Sequence, residues 1–217
     1  MMGSDRPAAR VQLVDYRAGN LFSIRRALEV VGAEVTVVRT ASDWKADATH
    51  MVLPGVGAYA AGMRALADER LDVGLRERVA RGLPLLGICL GAQLLFGHSD
   101  EFGRHAGLGL LPGGVQLLPT AAGRVPHIGW AACDRADDAA HPVLPDTDGV
   151  WMYFVHSYYF EPASPARRLL KANAGAASFT AAAGSGNVIG VQFHPERSGE
   201  VGLEVLRRFC GWEGGDA

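Results

Sequence analysis

Gly87-Ile88-Cys89-Leu90-Gly91 is the stretch best equipped for chemistry, because a thiol stands between two glycines at the end of an apolar run. A nucleophile on a sharp strand-to-helix turn leaves no room for side chains on either side, and the turn lifts it clear of the sheet. The helix that follows would aim the partial positive charge of its N-terminus at the sulfur and favour the reactive thiolate. A lone cysteine is more often inert packing. The flanking glycines and the strand-to-helix position set Cys89 apart from Cys133 and Cys210. A thiol nucleophile needs a base, and the base needs a group to orient it. Phe193-His194-Pro195-Glu196 follows the apolar run that begins at Val188. Residues two apart on an extended chain point the same way, so His194 and Glu196 can face one site. The intervening proline holds that backbone extended. His194 would take and return the proton, and Glu196 would fix its tautomer. His50, His98, His105, His127 and His141 lack such context.

Acyl chemistry also needs donors for a developing oxyanion. The Leu90 N–H, directly after the nucleophile, is one candidate. A second would come from Pro54-Gly55-Val56-Gly57, through Val56 or Gly57, where glycines let the backbone approach a substrate and turn one N–H inward.

These features need a scaffold that brings strand ends together. Val11–Tyr16 reads as a buried strand, followed by a helix capped by Asn20, with Leu21, Ile24, Leu28 and Val31 at helical spacing and a stop at Gly32. Strands are expected at Val35–Val38, Met51–Leu53 and Leu83–Ile88, with one helix from Tyr59 to Arg81 and another from Leu90 to about Phe96. This alternation predicts an α/β fold with an open, mostly parallel sheet and helices on both faces. Strands then follow with little helix between them, at Leu108–Leu118, Ile128–Cys133, Val150–Phe160, Leu169–Asn173 and Val188–Phe193. They predict an added antiparallel portion, with a hairpin turn at Gly184–Asn187 and a closing helix over Gly199–Cys210.

The 217 residues read as a flexible extension at 1–10, a single domain over 11–212 and a short tail at 213–217. The first ten residues are polar and irregular, unlike a signal peptide. A formal net charge of −2 without a basic stretch argues against nucleic acid, and no run approaches the roughly 20 apolar residues of a membrane span. Three widely spaced cysteines without a C-x-x-C pair fit neither a disulfide framework nor a standard zinc site, and point to the cytoplasm.

With these residues in place, the chain resembles the class I, triad-type glutamine amidotransferases. Gly-Ile-Cys-Leu-Gly-Ala-Gln at 87–93 is similar to their nucleophile motif, and Gln-Phe-His-Pro-Glu at 192–196 to their His-x-Glu motif. Four further stretches, at 15–20, 53–58, 125–130 and 153–159, resemble one branch, the glutaminase subunits of imidazole glycerol phosphate synthase from histidine biosynthesis. The resemblance covers nearly the whole chain from residue 11. It implies Cys89, His194 and Glu196 as a catalytic triad that hydrolyses glutamine. It implies a glutamine pocket at Gly55, Gln93, His156, Ser157 and Tyr158, and a partner interface at Trp130 and Arg197. The implied partner is a (β/α)8-barrel cyclase subunit in a heterodimer. It would use the ammonia to make imidazole glycerol phosphate and the carboxamide nucleotide of purine synthesis. Such chemistry needs neither a metal nor an organic cofactor.

Three positions depart from the family pattern. Arg17 stands where glycine is usual, Ala92 where methionine is common, and Arg197 where lysine is usual. A different turn at Arg17, altered packing at Ala92 and a changed ion-pair geometry at Arg197 are the expected consequences. Competing readings are a sister amidotransferase serving amino-sugar synthesis, a stand-alone cysteine hydrolase or peptidase, and a redox-sensing thiol domain. The last would not need His194 near Cys89.

Overall fold

The computed structural model describes residues 8–136 and 139–215. Of the expected extension, residues 1–7 lie outside the described residues, as do 216–217 of the tail; Arg10 already belongs to the first strand. In chain order the elements are β1 (Arg10–Val14), α1 (Leu21–Val30), β2 (Glu34–Val38), β3 (His50–Leu53), α2 (Tyr59–Asp68), α3 (Leu71–Ala80), β4 (Leu85–Ile88), α4 (Leu90–Leu94), β5 (Phe96–Ser99) and β6 (His105–Ala106). There follow β7 (Leu111–Leu117), β8 (His127–Arg135), β9 (Val150–His156), β10 (Tyr158–Pro162), β11 (Arg168–Ala174), β12 (Ala177–Ser185), β13 (Val188–Val191) and α5 (Gly199–Gly211).

A nine-stranded sheet runs in the order β2-β1-β3-β4-β13-β12-β11-β8-β9. The strands from β2 to β13 are parallel, and those from β12 to β9 add antiparallel pairs, so the expected mixed α/β sheet is present. Side chains alternate across it. On β1, Val11 and Leu13 enter one core with α1 and α5, whereas Val14 enters the other with α2, α3 and α4. A second sheet, β10-β7-β5-β6, closes over that latter face. No helix among the described residues is long and apolar enough to cross a membrane.

Three element expectations are corrected. The helix expected over 59–81 is two helices, broken at Arg70, which takes a left-handed conformation with φ +55°. The break moves the buried stripe from Tyr59, Gly62 and Leu66 to Leu71, Gly74 and Leu75, a step that one continuous helix face cannot make. The strand expected over 150–160 is interrupted at Ser157: β9 pairs with β8, and β10 crosses to the second sheet and pairs with β7. The helix after Cys89 ends at Leu94, because Phe96 pairs with Leu111 in that second sheet.

Candidate active site

Cys89 lies one residue beyond β4, as the first half-turn into α4, with φ +53° and ψ −114°. A non-glycine residue held there stores roughly 1–3 kcal/mol of strain. The packing around it accounts for the two glycines. A methyl group added at Gly91 would fall 1.8 Å from the Leu53 carbonyl oxygen, and one at Gly87 would fall 2.7 Å from the α-carbon of Ala92. Ala92 itself packs against Gly87 and Gly190, so a small residue suits this position. The Cys89 N–H donates to the Val191 carbonyl at 2.8 Å, tying the elbow to the neighbouring strand.

That neighbour supplies the second part of the site. β13 runs parallel to β4 with Val191 opposite Ile88, so the residues just beyond both strands meet at one carboxyl edge. His194 is pinned there by its N–H to the Tyr153 carbonyl (2.9 Å) and by its own carbonyl accepting from Ser198 Oγ (2.7 Å). Its Nδ1 is 2.9 Å from Glu196 Oε1, and the Glu196 side chain is 1% exposed. The other ring nitrogen makes no hydrogen bond of ordinary geometry, yet Cys89 is close enough to act on the imidazole. Burial pushes the His194 pKa down, but hydrogen bonding and charge from Cys89 and Glu196 outweigh it and raise the value to about 10. The Cys89 sulfur also lies 3.8 Å from the Val155 carbonyl and 3.7 Å from Gln192 Nε2. The remaining cysteines sit elsewhere, with thiols pushed up by burial to about 12 at Cys133 and about 11 at Cys210.

A cavity of about 250 Å³ opens on the sulfur, lined by Val56, Gly57, Leu90, Gln93, Glu101 and the stretch from Val155 to Tyr158, among others. Gln93 is less available than its polarity suggests, since its amide nitrogen donates to the Tyr158 carbonyl at 2.7 Å and to Gln192 Oε1 at 3.1 Å. His156 Nδ1 lies 3.0 Å from that same carbonyl. Burial holds the His156 pKa down to about 3, helped by the charges of His127 and His194 and opposed by the Tyr158 carbonyl. Ser157 occupies the crossing between the two sheets, which places it on the cavity wall. Gly55 is not on that wall but directly behind it, with its carbonyl accepting from the Leu90 N–H at 3.3 Å. The Gly55–Val56 peptide is trans, so its N–H points opposite to its carbonyl, away from Leu90. The Leu90 and Val56 N–H groups are therefore not presented together.

Trp130 and Arg197 meet at a third residue. The Trp130 ring packs edge-on to Tyr153 at 6.0 Å, and the Arg197 guanidinium lies 4.3 Å over the same ring. Arg17 adopts φ +65°, the conformation a glycine takes readily, so the turn keeps a glycine-like shape despite the side chain. Sequence reading missed Gln192 and Glu101. The alternation that pairs His194 with Glu196 also puts Gln192 on their side, and this was the available signal. Glu101 has no local signal: it reaches the cavity from the turn after β5, held by the Tyr59 N–H at the start of α2.

A strained thiol at a strand-to-helix elbow, facing a cavity, stands beside a histidine–carboxylate pair just beyond the next parallel strand, an arrangement suited to a cysteine nucleophile. A family model described as Glutamine amidotransferase class-I matches residues 12–211, and the chain belongs to that family. Among its relatives, the imidazole glycerol phosphate synthase subunit HisH of Gloeobacter violaceus is 44% identical over 92% of this chain and 88% of its own length. The imidazole glycerol phosphate synthase hisHF, chloroplastic, of Arabidopsis thaliana is also 44% identical over 92% of this chain, but the match spans 33% of that protein. A solved structure described as PurLQS from Thermotoga maritima has a TM-score of 0.75 at 23% identity, covering 94% of this chain and 99% of that one, a likeness of fold.

Proposed function

We propose that this chain is the glutaminase subunit of an imidazole glycerol phosphate synthase, with Cys89, His194 and Glu196 as its triad. The observation that carries the reading is the His194–Glu196 pair at 2.9 Å, with His194 acting on the strained Cys89, whose sulfur faces a cavity. The Cys89 thiolate attacks the side-chain amide carbon of glutamine, and a tetrahedral oxyanion forms. The proton held on His194 passes to the leaving nitrogen, and ammonia departs. Water then attacks the thioester, His194 takes its proton, and glutamate leaves. Glu196 orients the imidazole throughout. Glu101 supplies a carboxylate as counter-charge to the substrate ammonium, Gln93, His156, Ser157 and Tyr158 line the pocket, and Gly55 backs its wall. The cysteine must be reduced, which suits the cytoplasm.

The ammonia is delivered to a (β/α)8-barrel cyclase subunit in a heterodimer, which forms imidazole glycerol phosphate and the carboxamide nucleotide of purine synthesis. Support comes from the named HisH relatives, and from the plant relative in which the matched third is joined to a longer remainder. The oxyanion is held by Leu90 together with Val56 or Gly57. With the Gly55 carbonyl on Leu90, the free chain lacks that hole, and a single missing donor slows such chemistry roughly 10²–10³-fold. Partner and nucleotide binding favour a turned Gly55–Val56 peptide, for which Gly57, at φ +105°, gives the backbone freedom.

Cys89→Ala in the complex tests the division of labour. Glutamine-dependent synthesis should vanish while synthesis from added ammonium salt stays at the wild-type rate. Equal loss of both would sink the proposal.

A further inference from the structure

The turned peptide leaves a polar group to be satisfied. Gly55 is buried, and its carbonyl now accepts from Leu90. Once it swings away, Leu90 is free for the oxyanion, but the carbonyl of this buried residue has lost its donor. A buried carbonyl without a partner disfavours the working form of the loop. Tyr16 stands against this residue. Its ring follows β1, it is 2% exposed, and its hydroxyl has no hydrogen-bond partner among the described residues. A methyl group placed on Gly55 would lie 1.8 Å from that hydroxyl oxygen, so the phenol is packed directly on the Gly55 α-carbon. The segment that carries Tyr16 is fixed, with the Asp15 N–H on the Val38 carbonyl (2.8 Å) and the Arg17 N–H on Asp15 Oδ1 (3.0 Å). A second cavity, of about 480 Å³, lies on this far side of the loop and is lined by Tyr16, Val56 and Gly57, so there is room for the loop to rearrange.

We propose that the Tyr16 hydroxyl donates to the Gly55 carbonyl after it leaves Leu90, making Tyr16 a positioning residue for the working oxyanion loop. The inference rests on the reading of the Gly55–Val56 peptide as the part that turns. The exchange conserves hydrogen bonds: Leu90 to Gly55 is broken, Tyr16 to Gly55 is made, and two N–H groups become available to the substrate oxyanion. It also explains a buried phenol that is unpartnered in the resting form, since its acceptor arrives only with the switch.

Tyr16→Phe keeps the ring and removes only the hydroxyl. Glutaminase kcat and KM are measured for wild type and variant, each as the free chain and in complex with the cyclase subunit and its nucleotide ligand. The stimulated-to-free ratio of kcat should fall roughly tenfold, the effect of one unmade buried hydrogen bond. The loss should sit in kcat rather than in KM for glutamine, and the urea midpoint of the free chain should not fall, because the resting form does not use the hydroxyl. An unchanged ratio, or an equal loss in free and stimulated forms, overturns the role of Tyr16. A wild-type ratio near one overturns the turning peptide itself, so the two failures are distinguishable.

Discussion

At the scale of single residues, the site is governed by how His194 is charged. Burial alone would favour the neutral imidazole, yet Cys89 and Glu196 together raise its pKa to about 10. At neutral pH the ring therefore holds a proton, the one that the proposed mechanism passes to the leaving nitrogen. The same coupling contributes to stability. Because the folded value lies above the ordinary one, the contribution is complete below about pH 6.5 and fades as pH rises towards about 10. A carbon-bound ring proton of His194, followed by NMR, should titrate well above the ordinary histidine range. The midpoint should drop in Cys89→Ser and drop again in Glu196→Gln, since each removes a group that favours imidazolium. Turnover should suffer less in Glu196→Gln than in Cys89→Ala, because an orienting group contributes less than the nucleophile. A midpoint near 6.5 in the wild type would contradict the arrangement.

Elements place those residues, and one of them carries a visible strain. Arg70 ends α2 in the left-handed region, where glycine is the common choice, and its N–H caps the Ala67 carbonyl at 3.0 Å. Its side chain is exposed, so little is lost by removing it. Arg70→Gly should stabilise the chain by about 0.5–1 kcal/mol, the left-handed strain relieved less the extra freedom of an unfolded glycine. Urea unfolding would measure it, and a destabilised variant would refute the argument. This break also shows where sequence stops informing. Between Tyr59 and Arg81 neither glycine nor proline marks the junction, because the residue that bends is an arginine. The split at Ser157 is equally silent, since β9 and β10 are both apolar and only their distant partners, β8 and β7, separate them. By contrast, β1, β3, β4 and the elbow could be read directly, because alternation and flanking glycines are local consequences of burial. Cys89, His194 and Glu196 share that local legibility. Tyr16 and Glu101 do not, because what matters about them is the loop or cavity that folding brings alongside.

For the whole molecule, the remaining question is what covers its exposed apolar face. Ile128 (62% exposed), Trp130 (50%) and Trp151 (59%) lie on the β8–β9 hairpin, and cross-strand pairing sets Ile128 against Val155 and Trp130 against Tyr153. Large apolar side chains in contiguous positions mark an interaction surface more often than they mark bare solvent. The face adjoins the site, because Val155 both lines the cavity and presents its carbonyl to the Cys89 sulfur. Ammonia released there would emerge under whatever docks on the hairpin, so shelter of the product and recognition of the partner fall to the same residues. A tryptophan at the centre of such a patch, flanked by the Arg197–Tyr153 stack, has the character of a hot spot. Trp130→Ala should weaken binding to the cyclase subunit by about 2 kcal/mol, roughly 30-fold in Kd, as measured by calorimetry. The control is Val30→Ala. Val30 is also exposed (54%), but it ends α1 at the amino edge of the sheet, away from the site, and its loss should leave Kd unchanged. If both variants bind like wild type, the hairpin is not the docking face, and the route proposed for ammonia loses its cover.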